Sequence, residues 1–250
     1  MERIFHYTTL DNLELILSNA TIRLSSLKQM DDITEGYTFD FGSLAKYFYV
    51  SSWSKESQEN IPLWYMYTNK MRGIRIEADS DFLELKEDSQ SGQILNITNK
   101  DLIAFRLTYD KEDSFLCDVK YTDYLNSCLY ERRGYINKEI YNIGRIKPTA
   151  WRFQSEIRFR IYGISKRFIM PNGDFLNHKV WNSMFSNKEN DVAFADIKFD
   201  INRFNNANFM LGPTSTKEDL LKLKNLVSKY IPGYKGQIQK SNLLIRFKEK

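Results

Sequence analysis

The sequence predicts an α+β fold with one central mixed or antiparallel sheet flanked by helices. Three observations carry that reading. Alternating apolar and polar residues recur as strand signals, most strongly at 156–164, where Ile157, Phe159 and Ile161 face one way and Glu156, Arg158 and Arg160 the other. Helical spacing appears between such segments, as in Leu10, Leu13, Ile16 and Leu17. The two patterns mix without strict βαβ order, which disfavours a doubly wound parallel sheet.

In chain order, residues 3–7 read as a short strand with Ile4 and His6 on one face. Thr8 and Thr9 open a helix that Asn19 ends, with Asp11 three positions after Thr8 as an approximate capping box. Residues 21–25 form a second strand. Asp31, Asp32, Glu35 and Gly36 make an acidic loop. Residues 48–53 are strand-like and run into Ser51, Ser52, Trp53 and Ser54. A helix is expected over 63–71, with Trp64, Tyr67 and Met71 on one side, and a strand over 74–77 after Gly73. Residues 79–100 read as loop. Strands at 102–109 and 115–121 suggest a hairpin across 110–113. Helices are expected over 123–133 and 136–146, strands over 192–199 and 208–211, a helix from Thr216 to Tyr230 and a closing strand within 238–246. No repeat or linker interrupts the chain, so residues 1–250 are expected to form one domain.

Composition excludes several classes. Apolar residues make up 42% of 250, enough for one substantial core at the upper size limit of a single domain. No segment approaches the roughly 20 apolar residues a bilayer requires, and no secretory signal opens the chain, so no membrane partner and a cytoplasmic location are expected. Cys117 and Cys128 are too few for a disulfide framework and read as two buried thiols. With only His6 and His178, and no CxxC or HExxH spacing, a dedicated metal site is not expected. Neither GxGxxG nor a Walker-type phosphate loop occurs. Residues 217–250 carry nine Lys/Arg against Glu218, Asp219 and Glu249, a local +6 within an overall +4. That tail is either a solvated helix face or a surface for nucleic acid, with Lys222 and Lys229 projecting outward.

Four pieces gain weight together. They are Phe5-His6-Tyr7-Thr8-Thr9 with the helix and strand that follow; the loop ending in Glu35-Gly36; Ser51 to Ser54 with Leu63-Trp64-Tyr65-Met66-Tyr67 and Arg72-Gly73-Ile74; and Trp151 followed by Glu156-Ile157-Arg158-Phe159. In this order they resemble a bacterial family catalogued as domain of unknown function 2971. Leu211-Gly212-Pro213 and the elements after it extend the similarity over most of the chain. That family in turn resembles the ADP-ribosyltransferase fold, in which the Rossmann glycine fingerprint is not expected.

The resemblance implies a site for NAD, used as a substrate, in an ADP-ribosyltransferase or NAD glycohydrolase. A bacterial toxin or a phage-defence effector is the implied setting, with a protein or nucleic acid as acceptor. It implies Glu156 as the catalytic carboxylate. His6 would hold the nicotinamide-side ribose, with the adjacent Tyr7 among the cofactor-binding residues. Tyr67 or Trp64, with Tyr65 equally available, would flank the nicotinamide, and Arg158 would hold the phosphates or keep Glu156 ionised. The chemistry is coherent, because breaking the glycosidic bond develops positive charge that a fixed carboxylate stabilises. Structural alternatives stand beside each assignment. They are a hydrogen-bonded strand residue for His6, core packing for Trp64, Tyr67 and Trp151, a same-face ion pair for Glu156 and Arg158, and turn chemistry for the acidic loop. A non-catalytic nucleotide- or nucleic-acid-binding module is the alternative function.

Overall fold

Thr9 fixes where the first helix starts. Its side chain accepts the Asn12 amide at 3.1 Å, one residue later than the expected Thr8 cap, so β1 (Arg3–Thr8) runs on before α1 (Leu10–Asn19) begins. Leu10, Leu13 and Leu17 put one face of α1 in the core, and Ala20 ends it in a left-handed conformation, φ 49°. This computed structural model describes residues 2–107, 115–123, 138–168 and 176–246, apart from the side chains of 138, 139, 176 and 177.

The further elements are β2 (Thr21–Ser26), β3 (Phe48–Ser54), α2 (Ile61–Tyr67), β4 (Ile74–Asp79), β5 (Leu102–Arg106), β6 (Leu116–Asp118), β7 (Glu156–Ser165), α3 (Leu176–Phe185), β8 (Phe194–Lys198), β9 (Asn208–Leu211), α4 (Lys217–Tyr230) and β10 (Ile238–Lys240). The ten strands form one sheet in the order β8-β2-β3-β1-β4-β9-β10, and β7 also lies against β3. Every pairing in this sheet is antiparallel except β9 with β10, so the fold is α+β with a mixed sheet.

All ten residues of β7 are buried. Ile157, Phe159 and Ile161 join a large core cluster with Leu13 of α1, Phe82 and Leu223 of α4. Tyr162 and Ile164 join a second cluster with Phe48, Phe105 and Val180 of α3. Tyr7, Leu63, Trp64 and Met71 form a third, small cluster. β7 is central, as its alternation predicts, but its polar face is buried too.

Several expected boundaries move. α2 begins at Ile61, because the Asn60 side chain accepts the Leu63 amide at 3.1 Å and Pro62 suits the first turn. It ends at Tyr67, because Thr68 is extended and Lys70 and Met71 turn left-handed. Among the described residues the expected hairpin pairing does not occur: β5 pairs with residues 161–165 of β7 and β6 with 157–159, so the two lie end to end on one edge. The turn proposed across 110–113 lies outside the described residues, as does the expected helix beyond residue 123. Of the helix expected over 136–146, the described part is a short 3-10 turn, Lys138–Asn142. The closing strand is only Ile238–Lys240, at the sheet edge. Cys117 is half-buried on β6, and Cys128 is not described.

The sheet feature that matters most is a split. On one edge β3 pairs without interruption with β7, from Phe48 to Ser54. On its other edge it pairs with β2 only at Tyr49 and Val50, and with β1 only at Ser54. β1 and β2 therefore part company across residues 51–53, and a cavity opens between them.

Candidate functional site

The cavity encloses about 530 Å³, within the roughly 300–1,000 Å³ range of small-molecule sites. Consecutive residues line it from β1 (Phe5 to Thr8) and β3 (Val50 to Ser54). Side chains alternate along a strand, so a lining of consecutive residues means that strand edges, with their backbone groups, face the space. α1 and β2 also line it, as do Tyr67, Lys147, Gln154 and Glu156.

His6 projects from β1 against the Trp53 ring, with centroids 5.0 Å apart. Its Nδ1 lies 2.9 Å from the Ser52 carbonyl. A carbonyl only accepts, so Nδ1 carries the proton and Nε2 keeps its lone pair in the neutral ring. Burial lowers the His6 pKa, and the Ser52 hydrogen bond only partly opposes that shift.

Glu156 heads β7. Its backbone amide donates to the Tyr121 hydroxyl at 2.8 Å, which sets the entry of the strand. Its carboxylate receives Arg158 Nε at 2.5 Å and Lys147 Nζ at 2.9 Å. Burial works to raise the Glu156 pKa, but the Arg158 and Lys147 charges and their hydrogen bonds outweigh it and hold the carboxyl below its ordinary value. The group is an ionised carboxylate in a nearly solvent-free place. Burial, opposed by the Glu156 amide, pushes the Tyr121 hydroxyl up to about 12, so it stays protonated.

Glu35 reaches the same point from the acidic loop. Gly36 has φ +78°, and a Cβ there would sit 2.8 Å from the Ala45 backbone, so only glycine lets the loop turn this closely. Glu35 is then fully enclosed and binds Arg158 through both carboxylate oxygens. Arg158 also donates to the Gly144 carbonyl at 2.9 Å. All five guanidinium N–H groups are thereby engaged. Lys147 completes the group, 3.4 Å from Glu35, with Nζ also donating to Gln154 at 2.8 Å. Two carboxylates and two cations form a neutral quartet.

A polar chain runs from the quartet to the rim. The Gln154 amide donates to the Tyr67 hydroxyl at 2.8 Å, and that hydroxyl donates to Asp31, again at 2.8 Å. Burial, reinforced by Asp31, drives the Tyr67 pKa well above its ordinary value.

Of the residues singled out in the sequence, His6, Tyr7, Tyr67 and Glu156 line this one cavity. Trp64 and Arg158 are not among its lining residues. Trp64 is fully buried edge-to-face on Tyr7, at 4.8 Å, with its indole N–H on Glu59. Tyr65 points to solvent, 63% exposed. Arg158 has no exposed surface and no free donor, so it holds Glu156 and Glu35 rather than facing the cavity. Sequence reasoning passed over Lys147, Gln154 and Tyr121, and for Glu35, within one of the four pieces of the resemblance, it offered no role beyond turn chemistry. Only the Glu35-Gly36 step signalled a special backbone there. Among the described residues, no three His, Cys, Asp or Glu side chains converge as a metal would require. No helix among them is long and apolar enough to cross a membrane.

No family model, curated protein or solved structure matches the chain. What the site can do follows from its own residues.

Proposed function

We propose that the protein consumes NAD, as an ADP-ribosyltransferase or NAD glycohydrolase related to the family catalogued as domain of unknown function 2971. The observation that carries this reading is the meeting of His6, Tyr67 and Glu156, far apart in sequence, in one cavity with an ionised carboxylate. In the reaction the bond between C1′ and the nicotinamide nitrogen breaks. Both electrons go to the nitrogen, so nicotinamide leaves neutral and positive charge passes to the ribose. Water, or a nucleophile of a protein or nucleic-acid acceptor, then bonds to C1′ and gives up its proton. Glu156 stabilises the ribosyl cation, which it does best where water is excluded. Neutral His6 offers Nε2 to a ribose hydroxyl, and Tyr67 and Tyr7 offer ring faces and hydroxyls. A toxin or antiviral effector acting in the bacterial cytoplasm is the setting we favour.

One observation favours the alternative, a binding module without catalysis. Two cations already hold the Glu156 carboxylate. The decisive experiment is incubation of the purified chain with NAD and detection of nicotinamide. The enzyme reading expects release by the wild type and a loss of about 100-fold or more in Glu156→Gln, on the scale of removing one group that stabilises transition-state charge. Glu156→Gln should still bind NAD. Wild type that binds NAD without releasing nicotinamide would overturn catalysis and leave the binding module.

A further inference from the structure

We infer that Lys147 is the anion-binding group of the cavity, and that it unmasks Glu156 when it moves to the phosphates of a bound nucleotide. This rests on the same cavity as the NAD reading and deepens it. The quartet divides into two pairs. Glu35 and Arg158 have no exposed side-chain surface and do not line the cavity. Lys147 and Glu156 do line it. The sealed pair does not need Lys147, because Arg158 alone contacts both carboxylates. Arg158 is a rigid fork with every donor engaged. Lys147 is a single ammonium on a flexible stem and can turn without breaking a planar bidentate geometry.

The charge count gives the consequence. With Lys147 in place, the cluster of two carboxylates and two cations is neutral. When its ammonium turns to a ligand phosphate, Glu35, Glu156 and Arg158 together carry −1, and that charge faces the cavity through Glu156. Negative charge beside a ribosyl cation then appears only when an anionic ligand has arrived. The ligand class is a nucleotide whose pyrophosphate or phosphate lies on one side of the ribose and whose cationic base lies on the other. No covalent step is assigned to Lys147. It is a positioning residue for Glu156 and a binding residue for the anion.

Trp151 gives a direct readout, since Lys147 Nζ lies 5.1 Å from its ring centroid. Titration with inorganic pyrophosphate, NAD and nicotinamide riboside should be followed by the emission change that is lost in Trp151→Phe. Lys147→Met should weaken pyrophosphate and NAD about tenfold, the scale of one charged hydrogen bond, and leave nicotinamide riboside unchanged. Lys147→Arg should restore most of the loss. Because Lys147→Met leaves an uncompensated carboxylate, Lys147→Met with Glu156→Gln serves as the charge-balanced variant, and it should show the same loss of pyrophosphate binding. Wild-type pyrophosphate affinity in that double variant would overturn the proposal, and so would equal weakening of nicotinamide riboside in Lys147→Met. Lys147-dependent pyrophosphate binding without NAD binding would sustain the anion site and sink the NAD reading. Undiminished NAD binding and cleavage in Lys147→Met would do the reverse.

Discussion

Two of this molecule's ion-pair clusters differ sharply in burial, and distance ranks them wrongly. On the outer side of the helix pair, Lys222 of α4 meets Asp11 of α1 at 2.6 Å and Glu14 at 3.5 Å. In the sheet split, Lys147 meets Glu156 at the longer 2.9 Å. The Lys222 side chain is 40% exposed and the Lys147 side chain 5%. Water and salt screen the first pair, so its attraction is offset by hydration and side-chain entropy. The second pair has lost its water, so each charge there depends on its partners. The surface cluster can lose a member cheaply. The buried quartet cannot unless another cation takes the vacated place, and its one flexible member lines the cavity.

The largest expected effect comes from breaking the quartet at its most enclosed member. Arg158→Met leaves Glu35 and Glu156 with Lys147 alone and should cost about 3–5 kcal/mol, the usual result of stranding a buried charge. Lys222→Met should cost no more than about 1 kcal/mol. Urea unfolding of both variants makes the comparison. Equal midpoints would mean that burial does not separate the clusters. Glu35→Leu combined with Arg158→Met removes one charge of each sign and should recover most of the stability lost in Arg158→Met.

How far the site could be read from the sequence follows from the same contrast. β7 was legible as a strand, because Ile157, Phe159 and Ile161 alternate with charges. The fate of the charges was not legible. Alternation ordinarily means one wet face, yet here Glu35 and Lys147 cover that face, and neither is near β7 in register or pattern. A local window cannot report a partner delivered by a distant loop. The α+β class with a mixed sheet was readable from periodicity. The split was not, since it depends on where β1 and β2 stop pairing with β3. The end of α2 was missed because Trp64, Tyr67 and Met71 keep helical spacing while the backbone has already turned at Lys70.

Acid titration sharpens the comparison at a smaller scale. The folded pKa of Glu156 lies below its ordinary 4.5, so the unfolded chain takes up this proton first. Its stabilisation is complete above pH 4.5, declines as pH falls from there, and is gone once pH drops below the folded value. Glu156→Gln should start less stable and show a flatter stability curve over that window. His6 has the same sign through a different cause. Burial lowers its folded pKa from 6.5, so the neutral ring stabilises the fold above pH 6.5 and that contribution declines below it. His6→Gln should remove the part of the curve that begins near pH 6.5 and leave the Glu156 part in place. Urea midpoints measured from pH 8 to pH 3 separate the two. A wild-type curve flat across that range would contradict both shifts.

The smallest expected effect concerns the basic tail, where the structure corrects an expectation. Lys222 does not project freely, because Asp11 and Glu14 of α1 hold it. Lys229 lies over the Tyr230 ring, 4.7 Å from its centroid, and Lys240 donates to the Ser215 carbonyl at 2.7 Å. To reach a phosphate backbone, Lys222 would have to give up two carboxylates already in place. It would release few counterions from the nucleic acid in doing so, because its charge is largely compensated before binding. Each phosphate neutralised on duplex DNA contributes about −0.9 to the slope of log affinity against log salt, and about −0.7 on a single strand. Lys222→Glu with Lys229→Glu should therefore leave that slope within about one unit of the wild type for either nucleic acid. A change of about two units on duplex DNA, the most that two lost phosphate contacts give, would show that α4 presents a charged stripe to a backbone, and it would place an exposed cluster above the buried one in function.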